Sequence, residues 1–230
     1  MSKVYILHGW AVSQFNQQKW QPLIDDLTDQ GIKAVFLPIP GLTSPLTEVW
    51  ELADFIKWLA QTLPDQPVIL LGHSFGGQLA AAFAASHPDR VQKLILIASS
   101  GVRDHSLPAV FKRTVFLFLA KVGKLFFKNE ILRKLLYRAA REQDYLNAPP
   151  LLRRSMSNIL DTEIDQELPK VKCPTLLIWG RQDRVTPLWL GQFFHQKISH
   201  SQLAVIEKAR HSPQFTHVSE VTQLITKFVK

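Results

Sequence analysis

Leu70-Leu71-Gly72-His73-Ser74-Phe75-Gly76-Gly77, "LLGHSFGG", closes an apolar run on a glycine, follows it with a serine, and sets two more glycines behind it. Residues 67–71 read as a buried strand and residues 76–87 as a helix. The Gly72-x-Ser74-x-Gly76 spacing suits a sharp, strained strand-to-helix turn that pushes a serine Oγ out above a sheet. Side chains two positions either side of that serine are expected to collide, which explains the glycines. The same turn aims the Phe75 backbone N–H, at a helix start with its partial positive charge, toward a developing oxyanion. A plainer reading is a glycine-rich turn that happens to contain a serine. A phosphate loop is disfavoured because the G-K-[ST] ending is missing, and the glycine spacing does not fit a dinucleotide fingerprint.

Working outward, the same rhythm repeats. Apolar runs at 4–7, 33–37, 67–71, 93–98, 175–179 and 202–206 alternate with helical patterns near 18–30, 48–63, 76–87, 187–197 and 219–229. Continuous β-rich runs separated by helices predict six buried parallel strands with helices on both faces. Residues 102–170 break the rhythm with helical patterns alone, including 130–142 behind Asn129 and a short helix near 150–160. This predicts a core of 1–101 and 171–230 with a helical cap, or lid, inserted at 102–170 over the edge where ligands of open sheets bind.

A serine hydroxyl needs a base to take its proton. Of eight histidines, His211 and His217 are the two candidates left by position. His211 follows the last strand at the same edge as Ser74 and is preferred; His217 falls near the last helix. An orienting acid is expected beyond another strand, where "GRQDRVTP" places Asp183. Its plain reading is a turn aspartate, and Asp161 and Asp165 are rivals inside the insertion. The order Ser74, Asp183, His211 is one in which such triads occur. "HGW", residues 8–10, offers Trp10 as a second backbone donor beside Phe75, because Gly9 permits an unusual turn.

Composition bounds the partners. The 230 residues carry a formal charge of +8, and Arg103–Arg154 holds twelve Lys/Arg against four Asp/Glu, so the excess lies in one segment. Arg138 and Arg141 share a wet face with Arg133 and Lys134 at helical spacing. Such a face is a solvated surface or a site for an anionic partner. Lys121, Lys124 and Lys128 along an apolar stretch also suit weak contact with an anionic membrane surface. No nucleic-acid module is recognisable. The single Cys173 excludes an internal disulfide and fits a reducing cytosol, so a cytoplasmic location is expected. No signal-peptide pattern or membrane span is read, and no metal or organic cofactor is expected.

Together, "LHGW", "GHSFGG", "GRQDRVTP" and "RHSP" resemble the oxyanion, nucleophile, acid and histidine motifs of the α/β-hydrolase superfamily. The resemblance runs from residue 7 to 213. It implies an α/β-hydrolase fold in which Ser74, Asp183 and His211 act as a triad and Trp10 and Phe75 as oxyanion donors. Trp10, Trp20 and the arginine-bearing insertion look most like the pimeloyl-acyl-carrier-protein methyl ester esterases. That implies cleavage of a carboxylic ester on a carrier-bound acyl chain, with Arg138, Arg141, Arg153 and Arg154 as candidates to hold an acidic carrier. Three departures stand out. The two strands that usually precede the HG strand are expected to be missing, Ala11 replaces a frequent glycine, and Arg210 replaces a small residue. Rival activities on the same residues are hydrolysis of a C–C bond, a thioester or a lactone. A binding protein that kept the fold without turnover is the alternative from another class.

Overall fold

The computed structural model describes residues 2–10, 15–103 and 148–230. Six strands are formed: β1 (Ser2–Leu7), β2 (Ile32–Leu37), β3 (Val68–His73), β4 (Val91–Ile97), β5 (Thr175–Gly180) and β6 (Ser201–Ile206). They make one sheet in the order β2-β1-β3-β4-β5-β6, and every pairing is parallel. The expected six parallel strands are therefore present, with the HG strand β1 inside the sheet. Every residue of β3 and β5 is buried, as strands covered on both faces should be. The edge strand β6 buries fully only Ile206.

The helices among the described residues are α1 (Phe15–Asp29), α2 (Leu52–Thr62), α3 (Phe75–Ser86), α4 (Pro150–Asp161), α5 (Leu188–Lys197), α6 (Pro213–Thr216) and α7 (Val218–Val229). α3 is buried from Phe75 to Ala85, which explains its run of alanine and glycine: a bulkier helix has no room against the sheet. Arg90 caps the end of α2 by donating to the carbonyls of Leu63 and Pro64 at 3.1 and 3.0 Å.

The chain divides into two compact units, Met1–Val102 with Pro150–Lys230, and Arg103–Pro149. Residues 150–170, expected within the insertion at 102–170, pack with the core unit. Leu152, Met156 and Ile159 of α4 are buried, as are Ile164 and Leu168. Gln78 of α3 donates to the Thr162 carbonyl at 2.9 Å, and Ser155 accepts the Trp50 N–H at 2.8 Å. The expected helix at 130–142 and the stretch with Lys121, Lys124 and Lys128 lie outside the described residues. No helix among the described residues is long and apolar enough to cross a membrane.

The strand order reverses between β1 and β3, since β2 lies on one side of β1 and β3 to β6 on the other. Crevices at such switch points, outside the carboxyl ends of strands, are where open α/β sheets bind ligands. His8-Gly9-Trp10 and Ser74 leave the sheet at that point.

Candidate active site

β3 runs to His73 and α3 starts at Phe75, so the turn is Ser74 alone, tighter than the break at 71–76 read from the sequence. Ser74 has φ 53° and ψ −117°. A non-glycine residue there is strained by roughly 1–3 kcal/mol and persists only where its surroundings force it. Its N–H donates to the Ile97 carbonyl at 3.0 Å, while its own carbonyl accepts from Gly77, Gln78 and Ser100.

The glycines are needed for a different reason from the one expected. They do not spare each other's side chains. A Cβ on Gly72 would strike the backbone of Gly76 and Gly77, and one on Gly76 would strike the carbonyls of Leu7 and His8 at the end of β1. One on Gly77 would lie 2.7 Å from the Ser99 Cβ. The start of α3, the end of β1 and the segment that follows β4 therefore crowd this turn at once.

The residues after β5 and β6 complete the site. The His211 Nε2 lies 3.1 Å from the Ser74 Oγ, and its Nδ1 lies 2.9 Å from the Asp183 Oδ2. Asp183 Oδ1 accepts the N–H groups of Val185 and Thr186 at 2.8 and 3.0 Å. These bonds are those of a turn aspartate, and the other carboxylate oxygen faces His211 and the Thr186 hydroxyl. Burial pushes the Asp183 carboxyl up, but the hydrogen bond and charge of His211, with the Val185 N–H and the Thr186 hydroxyl, outweigh it and hold the group below its ordinary range. A Cβ on Gly180 would strike the carbonyls of Ala209 and Arg210, so this glycine lets the His211 loop cross the end of β5. His217 instead stands at the start of α7, its ring bonded to the Thr216 hydroxyl and not capping the helix. Asp161 ends α4 and Asp165 follows it.

The HG turn lies against the serine, since a Cβ on Gly9 would come within 3.3 Å of the Ser74 Cβ. The Trp10 ring meets the Phe75 ring edge-on at 6.4 Å. Arg153 and Arg154 sit on α4, half-buried and exposed respectively; Arg138 and Arg141 lie outside the described residues.

Three side chains that the sequence reading passed over belong to this cluster. The buried His8 Nδ1 is 2.8 Å from the Gly9 carbonyl. The buried His73 Nε2 is 3.0 Å from the His211 carbonyl. The Thr186 hydroxyl is 2.8 Å from Asp183 and 3.1 Å from the His211 Nδ1. Only position signalled them: each adjoins a strand end or a residue already singled out. Among the described residues no cluster of His, Cys, Asp and Glu suits a metal ion.

Chemically, a serine oxygen, an imidazole and a carboxylate stand in one hydrogen-bonded line beside a helix N-terminus. Comparison with known proteins bears on the fold that carries these residues. The family model described as alpha/beta hydrolase fold matches residues 4–218. A pimeloyl-[acyl-carrier protein] methyl ester esterase from Neisseria meningitidis serogroup B is 28% identical over 250 residues, covering 100% of this chain and 93% of that protein. Among solved structures, an alpha/beta hydrolase from a Mar Chica lagoon sediment metagenome superposes with a TM-score of 0.70 at 23% identity, covering 98% of this chain and 89% of that one. A meta-cleavage product hydrolase from Pseudomonas fluorescens gives 0.69 at 22% identity, covering 99% and 90%.

Proposed function

The chain belongs to the α/β-hydrolase family, and from that premise we propose that it is a serine esterase working through an acyl-enzyme. The observation that carries this reading is the His211 imidazole, 3.1 Å from the Ser74 Oγ on one side and 2.9 Å from the Asp183 carboxylate on the other. Ser74 attacks the ester carbonyl as His211 accepts its proton. Asp183 holds the ring in the tautomer with hydrogen on Nδ1, so Nε2 is free to act as base, and it stabilises the imidazolium. The backbone N–H groups of Trp10 and Phe75 receive the oxyanion, Phe75 with the help of the α3 N-terminus. His211 then returns the proton to the leaving alcohol, and water, deprotonated by the same ring, releases the acid.

His8 supports the Trp10 role. It donates Nδ1–H to the Gly9 carbonyl, and the Gly9–Trp10 peptide is trans. In a trans peptide C=O and N–H point opposite ways. Fixing the Gly9 carbonyl toward His8 therefore turns the Trp10 N–H the other way.

For the substrate we favour an acyl chain carried on an acidic protein. The esterase it resembles is named for the methyl ester of an acyl chain on a carrier protein, and the net +8 of Arg103–Arg154 suits an acidic partner. Arg138, Arg141, Arg153 and Arg154 are the proposed contacts. Turnover of carrier-bound ester should fall steeply with added salt, while that of a small neutral ester should not.

The test is hydrolysis of short p-nitrophenyl esters, with fluorophosphonate labelling, by the wild type and Ser74→Ala. Hydrolysis and labelling should vanish together in the variant. Equal activity in both proteins overturns the reading, and a wild type that neither hydrolyses nor labels indicates a binding protein. Faster cleavage of a C–C, thioester or lactone substrate would reassign the bond but keep the residues.

A further inference from the structure

Thr186 stands three residues after Asp183 and is only 5% exposed. Its hydroxyl has three polar neighbours: the Asp183 Oδ2 at 2.8 Å, the Ala98 carbonyl at 3.0 Å and the His211 Nδ1 at 3.1 Å. A hydroxyl has one proton to give and lone pairs to accept with. The first two neighbours are acceptors, and the third carries a hydrogen when it donates to Asp183. The His211 Nδ1–H is therefore shared between Asp183 and Thr186, while the Thr186 proton goes to Asp183 or to Ala98.

Ala98 makes this arrangement notable. It is fully buried and has φ 46°. It and Ser74 are the two non-glycine residues with positive φ among the described residues. Ala98 follows β4, and its N–H donates to the Ile178 carbonyl of β5 at 3.0 Å. Its neighbours in sequence hold the serine: Ile97 accepts the Ser74 N–H at 3.0 Å, and the Ser100 N–H donates to the Ser74 carbonyl at 3.1 Å. The end of β4 thus grips Ser74 on one side and, through the strained Ala98 carbonyl, Thr186 on the other.

We propose that the Thr186 hydroxyl is a positioning residue of the site, tying the Asp183–His211 pair to Ala98 and so fixing the base relative to Ser74. This rests on the triad reading above. A base displaced by an ångström loses much of its rate even when substrate still binds. The loop itself does not need the hydroxyl. The Trp179 indole donates to the Thr186 carbonyl at 2.8 Å, and the Thr186 N–H donates to Asp183. Valine at this position keeps the shape and the backbone bonds while removing only the hydroxyl.

The experiment compares Thr186→Val and Thr186→Ser with the wild type and with Ser74→Ala. It reads kcat and KM on a p-nitrophenyl ester, the rate of fluorophosphonate labelling and Tm. Thr186→Val should lower kcat and the labelling rate about tenfold with KM unchanged. Thr186→Ser should stay within about twofold of the wild type, because it keeps the oxygen. In 15N-histidine spectra the His211 Nδ1 resonance should move in Thr186→Val without substrate. Wild-type kcat in Thr186→Val with Ser74 still labelled overturns this proposal alone. So does an equal fall in both variants that follows Tm. A wild type that fails to label at Ser74 overturns the triad reading, and this proposal with it.

Discussion

The His73 ring, next to the serine in sequence, donates its Nε2–H to the backbone carbonyl of His211 at 3.0 Å, across 138 residues of chain. A carbonyl only accepts, so a proton sits on Nε2. Burial, reinforced by the neighbouring His211, pushes the His73 pKa down to about 3, so it stays neutral through the working range. The two rings lie 5.0 Å apart, and a Cβ on Gly9 would lie 2.7 Å from the His73 Nδ1. His73 thus touches the loops of the base and of the oxyanion donor while turning away from the chemistry.

Replacing His73 by phenylalanine should cost activity more than binding. The ring shape survives, but the His211 loop loses its tether. We expect kcat to fall roughly 10- to 100-fold with KM nearly unchanged, as for a base displaced by a fraction of an ångström. Glutamine places an amide N–H near the position of Nε2, so His73→Gln should recover most of the loss. Steady-state kinetics of both variants on one ester check this, and equal kinetics in wild type and His73→Phe would refute it.

Acid stability should betray the two buried histidines. Burial also lowers His8 to about 4, against the upward pull of its bond to the Gly9 carbonyl. Both folded values lie below the ordinary 6.5. Between 6.5 and those values the unfolded chain binds more protons, so stability rises with pH and is lost as pH falls. Asp183, held below its ordinary range, acts in the same direction at lower pH. Each histidine should weaken the fold by about 2 kcal/mol from pH 7 to pH 5. Urea unfolding at the two pH values measures it, and His73→Gln should remove roughly half of the drop. A flat profile in the wild type would contradict the buried neutral rings.

The sequence carried the six strands because a strand covered on both faces must be apolar throughout, as β3 and β5 are. Ser74, Asp183 and His211 were legible because each stands just past a strand end, at one edge of a parallel sheet. Periodicity does not record a hydrogen bond between distant loops, so His73 and Thr186 left no trace beyond adjacency. The glycines of the serine turn were legible as glycines, but not for their reason. The obstacle to a Cβ at Gly76 is β1, 69 residues earlier, as its clash with Leu7 shows. The packing of residues 150–170 with the core unit was illegible for a similar cause. α4 has an amphipathic pattern that says one face is buried, but not that Ser155 meets Trp50 and Leu152 meets the turn at Gly41.

His8 offers a test of the oxyanion donor that leaves the triad intact. Its ring stacks on Phe36 at 5.0 Å, and its Nδ1 bonds the Gly9 carbonyl. Phenylalanine keeps the stacking surface but releases that carbonyl, and with it the orientation of the Trp10 N–H. A donor aimed at developing charge acts in the transition state more than on bound substrate. His8→Phe should therefore lower kcat about tenfold or more, short of the roughly 10²–10³ lost when such a donor is removed outright. KM should change little. Binding of a boronate, which becomes tetrahedral on Ser74, should weaken by the same factor as kcat/KM falls. If boronate affinity holds while kcat/KM drops, the effect of His8 reaches the reaction by another route, and Trp10 is not the donor that His8 orients.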